Sequence, residues 1–89
     1  MARVCFTQNL ARHVRCPDAE CAGGTVRAVL DAYFVEHPHA RSYVLDEHGG
    51  LRPHVVVFVG EARASDRTRL ADPVAADAEV WVMQALSGG

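Results

Sequence analysis

The chain has 89 residues, 49% of them hydrophobic and 22% charged, with a formal net charge of -2. That size and balance fit one soluble globular domain with a modest core. They exclude the basic footprint of a nucleic-acid binder, and no apolar run nears the ~20 residues that span a bilayer.

The N-terminal residues Met1 to Phe6 lack a long apolar stretch and a small-residue cleavage site, so no signal peptide is expected and the cytoplasm is the expected compartment. Three cysteines, Cys5, Cys16 and Cys21, are an odd number, which argues against a disulfide framework. In residues 2–7, Ala2, Val4 and Phe6 alternate with Arg3, Cys5 and Thr7, the pattern of a half-buried strand. Gln8-Asn9 supplies turn chemistry. Residues 10–16 are expected to return as a second strand ended by Pro17-Asp18, closing an antiparallel hairpin.

Gly23-Gly24 breaks the chain, and Thr25 is placed to cap a helix. Val26, Val29, Leu30, Tyr33 and Phe34 then recur at helical spacing. Pro38 cannot continue that helix, so it is expected over residues 26–36. Tyr43-Val44-Leu45 reads as a short apolar segment, followed by a turn over Asp46 to Gly50. Residues 54–59 are the strongest strand. Four of the five residues from Val55 to Val59 are valine, which predicts a central strand covered on both faces. A brief pairing near Ala62-Arg63, an irregular connection over 65–78 and a last strand from Glu79 to Gln84 complete the body. Val29, Leu30, Val57 and Phe58 are expected to be buried. Trp81 and Met83 lie on the opposite face of the last strand from Val80 and Val82, and the alternation does not say which pair points inward.

The order β-β-α-β-(β)-β, with one main helix on a small mixed sheet, is a two-layer α+β domain of the β-grasp order. The expected division is a β-grasp domain over residues 1–85 and a flexible C-terminal diglycine tail over 86–89. Terminal glycines often mean no more than a frayed end. They also have a chemical use. Without Cβ atoms, Gly88-Gly89 can thread a channel too narrow for other residues. The four residues Leu86, Ser87, Gly88 and Gly89 reach at most ~14 Å when extended, so they could deliver the terminal carboxylate into another protein's active site.

With that order and tail, the blocks Tyr43-Val44-Leu45-Asp46-Glu47, Gly50-Leu51-Arg52 and His54 to Val59 are similar to the MoaD/ThiS family of ubiquitin-like sulfur carriers. The resemblance implies that an E1-like adenylyltransferase activates the carboxylate of Gly89 with ATP, and that a sulfurtransferase or cysteine desulfurase converts it to a thiocarboxylate. A sulfur-accepting synthase then takes the sulfur. Gly88, Ser87 and Leu86 give the partner access. No cofactor is bound by the carrier itself, ATP being used by the partner, and the chain is not an enzyme. The alternative is a ubiquitin-like binding module or a tag conjugated to lysines of other proteins. All nine basic residues of the chain are arginine, so it cannot build chains on its own side chains. Cys16 and Cys21 with His13 lack the four ligands of a structural zinc site, and no metal is expected. Arg15, next to Cys16, is expected on the opposite face of a strand, and no catalytic cysteine is expected.

Overall fold

A computed structural model of the chain describes residues 1–7 and 17–84. In chain order its elements are β1 (Ala2–Phe6), β2 (Ala19–Cys21), α1 (Val26–Glu36), α2 (Pro38–Val44), β3 (Val55–Val59), β4 (Ala62–Arg63) and β5 (Glu79–Gln84). The five strands form one mixed sheet in the order β2-β1-β5-β3-β4. β1 runs antiparallel to β2 and parallel to β5, while β3 is antiparallel to both β5 and β4. Both helices pack on one face of this sheet, which is the β-grasp arrangement.

α1 forms where the periodicity places it. The Thr25 side chain accepts a hydrogen bond from the Ala28 amide at 3.1 Å and so caps the first turn. Val26, Val29, Leu30, Tyr33 and Phe34 are all buried. Against them stand Ala2, Val4 and Phe6 of β1, Val55 and Val57 of β3, and Val80 and Val82 of β5, each also buried.

Four expectations need correction. Pro38 does end α1, but it also opens a second helix of seven residues. Proline suits the first helical position, where its missing amide has no intrahelical partner in any case. Ala40 and Val44, four residues apart, are the buried pair of α2, so Tyr43-Val44 lies in a helix rather than an extended segment. Among the described residues the strand that pairs antiparallel with β1 is β2, Ala19–Cys21, beyond Pro17-Asp18. Residues 10–16, where it was expected, lie outside the described residues. β3 is covered on one face only. Val55 and Val57 are buried, but Val56 and Phe58 are half-buried on the other side, so Phe58 is not a core residue. The middle strand is β5.

The connection over 65–78 has no helix or strand but is densely tied. Asp66 accepts hydrogen bonds from the amides of Thr68 and Arg69 at 3.2 and 2.8 Å. Asp72 accepts from the amides of Ser65 and Asp66 at 3.1 and 2.8 Å. Arg27 of α1 donates to the carbonyls of Gly49, Thr68 and Arg69 at 2.6, 3.2 and 3.3 Å. One guanidinium thus pins both long loops to the helix. Its planar fork of donors meets several acceptors at once, which an ammonium group does less well.

Candidate functional site

The residues expected to carry the chemistry, Gly89, Gly88, Ser87 and Leu86, lie outside the described residues. The structure does define the strand that leads to them. β5 ends at Gln84, opposite Val55 of β3. On its other side the Thr7 amide donates to the Val82 carbonyl at 3.2 Å. Five residues follow Gln84, and fully extended they span at most ~18 Å.

The strand pairing settles which way β5 faces. Val80 and Val82 are buried under the helices, and Trp81 and Met83 stand half-buried on the opposite face. There Trp81 lies between Cys5 of β1 and Phe58 of β3, and Met83 lies beside Val56. The Trp81 indole Nε1 donates to Glu79 Oε1 at 3.3 Å, along the same face. This gives an apolar strip across the helix-free side of the sheet, carried by the same strand that leads to the tail. Sequence alternation alone identifies the two pairs of β5. Only the burial of Val80 and Val82 shows which pair is inward.

The described cysteines are poorly suited to nucleophilic work. Cys5 and Cys21 are buried free thiols. Burial is the main cause that raises the pKa of each, helped by the charge of Asp18 at Cys5 and of Glu36 at Cys21. A thiol held protonated is a weak nucleophile. Arg3 acts in the opposite, lesser sense on Cys5. Cys16 and His13 lie outside the described residues. Among the described residues no group of three His, Cys, Asp or Glu side chains could hold a metal ion, and no helix is long and apolar enough to cross a membrane. His37 is occupied in packing, its ring centroid 4.5 Å from that of Tyr33.

Comparison with solved structures bears on what this fold carries. The small archaeal modifier protein 1 (SAMP1) of Haloferax volcanii superposes with a TM-score of 0.75 at 27% identity, over 99% of this chain and 98% of that one. CysO in the BexX/CysO complex of Amycolatopsis orientalis and the antigen CysO of Mycobacterium tuberculosis share the fold. Each has a TM-score of 0.81 at 19% identity, over 100% and 97% of this chain and the whole of theirs. The chain has the ubiquitin-like β-grasp fold of these structures. No family model matches it, and no curated protein matches it in sequence. The match to SAMP1 spans nearly the whole of both chains, so the shared fold takes in both helices and all five strands of the described residues.

Two features that the sequence reading did not single out help shape this body. The Arg27 staple has no signature in the pattern of apolar residues. The left-handed Leu70, at φ +58° and fully buried, has none either, because leucine rarely adopts that conformation. Gly60, at φ +60°, turns β3 into β4 where glycine is at ease.

Proposed function

We propose that the chain is a sulfur carrier that works through the C-terminal carboxylate of Gly89. The observation that carries this reading is the full-length likeness to SAMP1 at 27% identity, joined to a sequence that reads Gly88-Gly89 after β5. An E1-like enzyme binds the folded body and draws in Leu86, Ser87, Gly88 and Gly89. A carboxylate oxygen of Gly89 attacks the α-phosphorus of ATP, and pyrophosphate leaves. The terminal sulfur of a persulfide on a sulfurtransferase or cysteine desulfurase then attacks the acyl carbon and AMP departs, leaving an acyl disulfide. A second thiol attacks the donor's cysteine sulfur, forms a disulfide with it and releases the thiocarboxylate. The net result is one oxygen exchanged for sulfur. A synthase consumes the thiocarboxylate. The partners bring every catalytic group, and the carrier brings an unhindered carboxylate on a slim tether. The carrier holds no cofactor of its own and works in the cytoplasm.

The likeness to SAMP1, a small archaeal modifier protein, favours a second reading. A lysine amine of another protein replaces the sulfur as nucleophile, and an isopeptide bond forms. Both readings share the adenylate and part at the next step.

The test is to incubate the chain with an E1-like enzyme of its own source, ATP and a sulfur donor, and to measure intact mass. A gain equal to the exchange of one oxygen for sulfur, confined to the C-terminal peptide, supports the carrier. Lysine-linked adducts in place of that gain support the modifier. An unchanged mass with an enzyme that activates a related carrier overturns both.

A further inference from the structure

One carbonyl ties a pair of arginines to the place where β5 leaves the body. The Arg52 carbonyl accepts the Val55 amide at 2.9 Å, and Val55 is the residue of β3 paired with Gln84, the last of β5. The same oxygen accepts Nη2 of Arg67 at 2.7 Å. A guanidinium from the 65–78 connection is thus fixed beside the point from which residues 85–89 depart. Arg52 itself reaches toward α2, where its Nε donates to the Ser42 carbonyl at 2.5 Å. Both arginines are half-buried, and His54 between Arg52 and Val55 is exposed.

Three observations say what this pair would hold. First, a guanidinium has five N–H donors, and among the described residues each of these two spends a single one, on a carbonyl. A fork held in place by one bond is preorganised to meet a carboxylate with the donors that remain. Second, neither arginine makes an ion pair among the described residues. The acids nearby turn to the amides of their own loops. Asp46, which feels the charge of Arg52, gives its Oδ1 to His48 and Gly50 at 2.8 and 3.1 Å. Asp66, beside Arg67 in the chain, gives its Oδ1 to Thr68 and Arg69. Third, the residues after Gln84, from Ala85 to Gly89, carry no charged side chain. Charge that a partner reads close to the tail therefore comes from the body, and Gly89 is at most ~18 Å beyond it.

We propose that Arg52 and Arg67 dock aspartate or glutamate side chains of a partner protein, set at the mouth of the channel that receives the tail. That the partner has such a channel rests on the carrier reading; that the pair takes carboxylates rests on its free donors. The role is one of docking, since the terminal carbonyl carbon lies a tail's length away. Opposite charges placed there raise the rate of encounter and fix the orientation in which the tail enters.

The test has two arms, both on the full 89-residue chain. In the first, the ¹⁵N-labelled chain is titrated with a capped hexaglutamate peptide. The expected result is saturable shifts of the Arg52 and Arg67 side-chain Nε–H signals, weakened severalfold between 50 and 200 mM salt as charge is screened. The double variant Arg52→Gln/Arg67→Gln keeps an N–H for each carbonyl but drops the charge, and should lose at least fivefold in affinity. Arg52→Lys/Arg67→Lys keeps the charge and should retain most of it. No shifts at millimolar peptide, shifts confined to other arginines, or a lysine pair as weak as the glutamine pair would each overturn the proposal. In the second arm, adenylation by an E1-like enzyme of the same source is followed through pyrophosphate release. The glutamine pair should raise KM for the chain at least fivefold and leave kcat in place. An unchanged KM overturns the docking role and leaves the carrier reading standing. Failure of the unaltered chain to be adenylated overturns the carrier reading, and the peptide arm, which does not use the tail, then decides on the arginine pair by itself.

Discussion

A Cβ built on Gly23 would lie 2.8 Å from the Val29 amide nitrogen and 2.9 Å from the Ala28 Cβ, whereas one built on Gly24 meets nothing within 4 Å. These neighbours therefore differ in kind. Gly23 lets the chain pass tightly over the first turn of α1, and Gly24 only loosens it. Gly23→Ala should cost about 1–3 kcal/mol, the usual penalty for overpacking, while Gly24→Ala should be close to neutral in urea melts. Equal costs would mean that the close approach relaxes freely. The core offers a second comparison. Leu30 is 0% exposed beneath the sheet, and Leu30→Ala should lose about 2–5 kcal/mol through the cavity left behind. Phe58 removes more carbon but is half-buried on the helix-free face, so Phe58→Ala should cost less. The reverse order would contradict the assignment of faces.

At the scale of elements, legibility followed the length of the apolar pattern. α1 carries five buried positions at helical spacing, and its limits could be read directly. β5 and β1 alternate over five or six residues and were equally plain. α2 was missed because its signal is only the Ala40–Val44 pair, and a proline ahead of it reads as a stop as readily as a start. β2 was misplaced because three residues cannot display a period, and Glu20 sits in their middle. The valines of β3 misled because β-branched residues also favour half-exposed strands, so composition did not distinguish one covered face from two. The tail was legible as chemistry, Gly88-Gly89 being explicit in the sequence. The inward pair of β5 was not, because alternation alone leaves both faces equivalent until the helices cover one of them.

The loops make their own prediction. Asp46, Asp66 and Asp72 are all held below the usual carboxylate pKa, in each case chiefly by backbone amides: that of His48 for Asp46, Arg69 for Asp66 and Asp66 for Asp72. A carboxylate whose pKa is depressed in the folded state adds stability that is complete above its unfolded value, about 3.9. That stability is lost as pH falls through the lower folded value. Stability should therefore decline below about pH 4, and Asp66→Asn should flatten that decline. A melt series from pH 7 to pH 2 that gave parallel curves for both proteins would argue against these loops as the acid-sensitive part.

For the molecule as a whole, body and tail should separate cleanly. Among the described residues the core ends at Val82 of β5, and removing Gly88 and Gly89 is expected to leave it intact. The melting temperature should stay within about 1 °C, because changes away from packed features are small, while conversion to the sulfur-bearing form is abolished. A large drop in melting temperature would show that the last residues belong to the folded body. The parallel pairing of β1 with β5 has a mechanical side. Their register runs from Arg3 beside Glu79 to Phe6 beside Val82, so the start of one strand and the finish of the other lie at opposite ends of a single seam. A pull between Met1 and Gln84 runs along that seam and loads its hydrogen bonds in shear, all together, rather than peeling them one by one. A body hauled by its tail through a narrow channel would resist as a clamp resists, and single-molecule pulling from these two points should break it in one abrupt step.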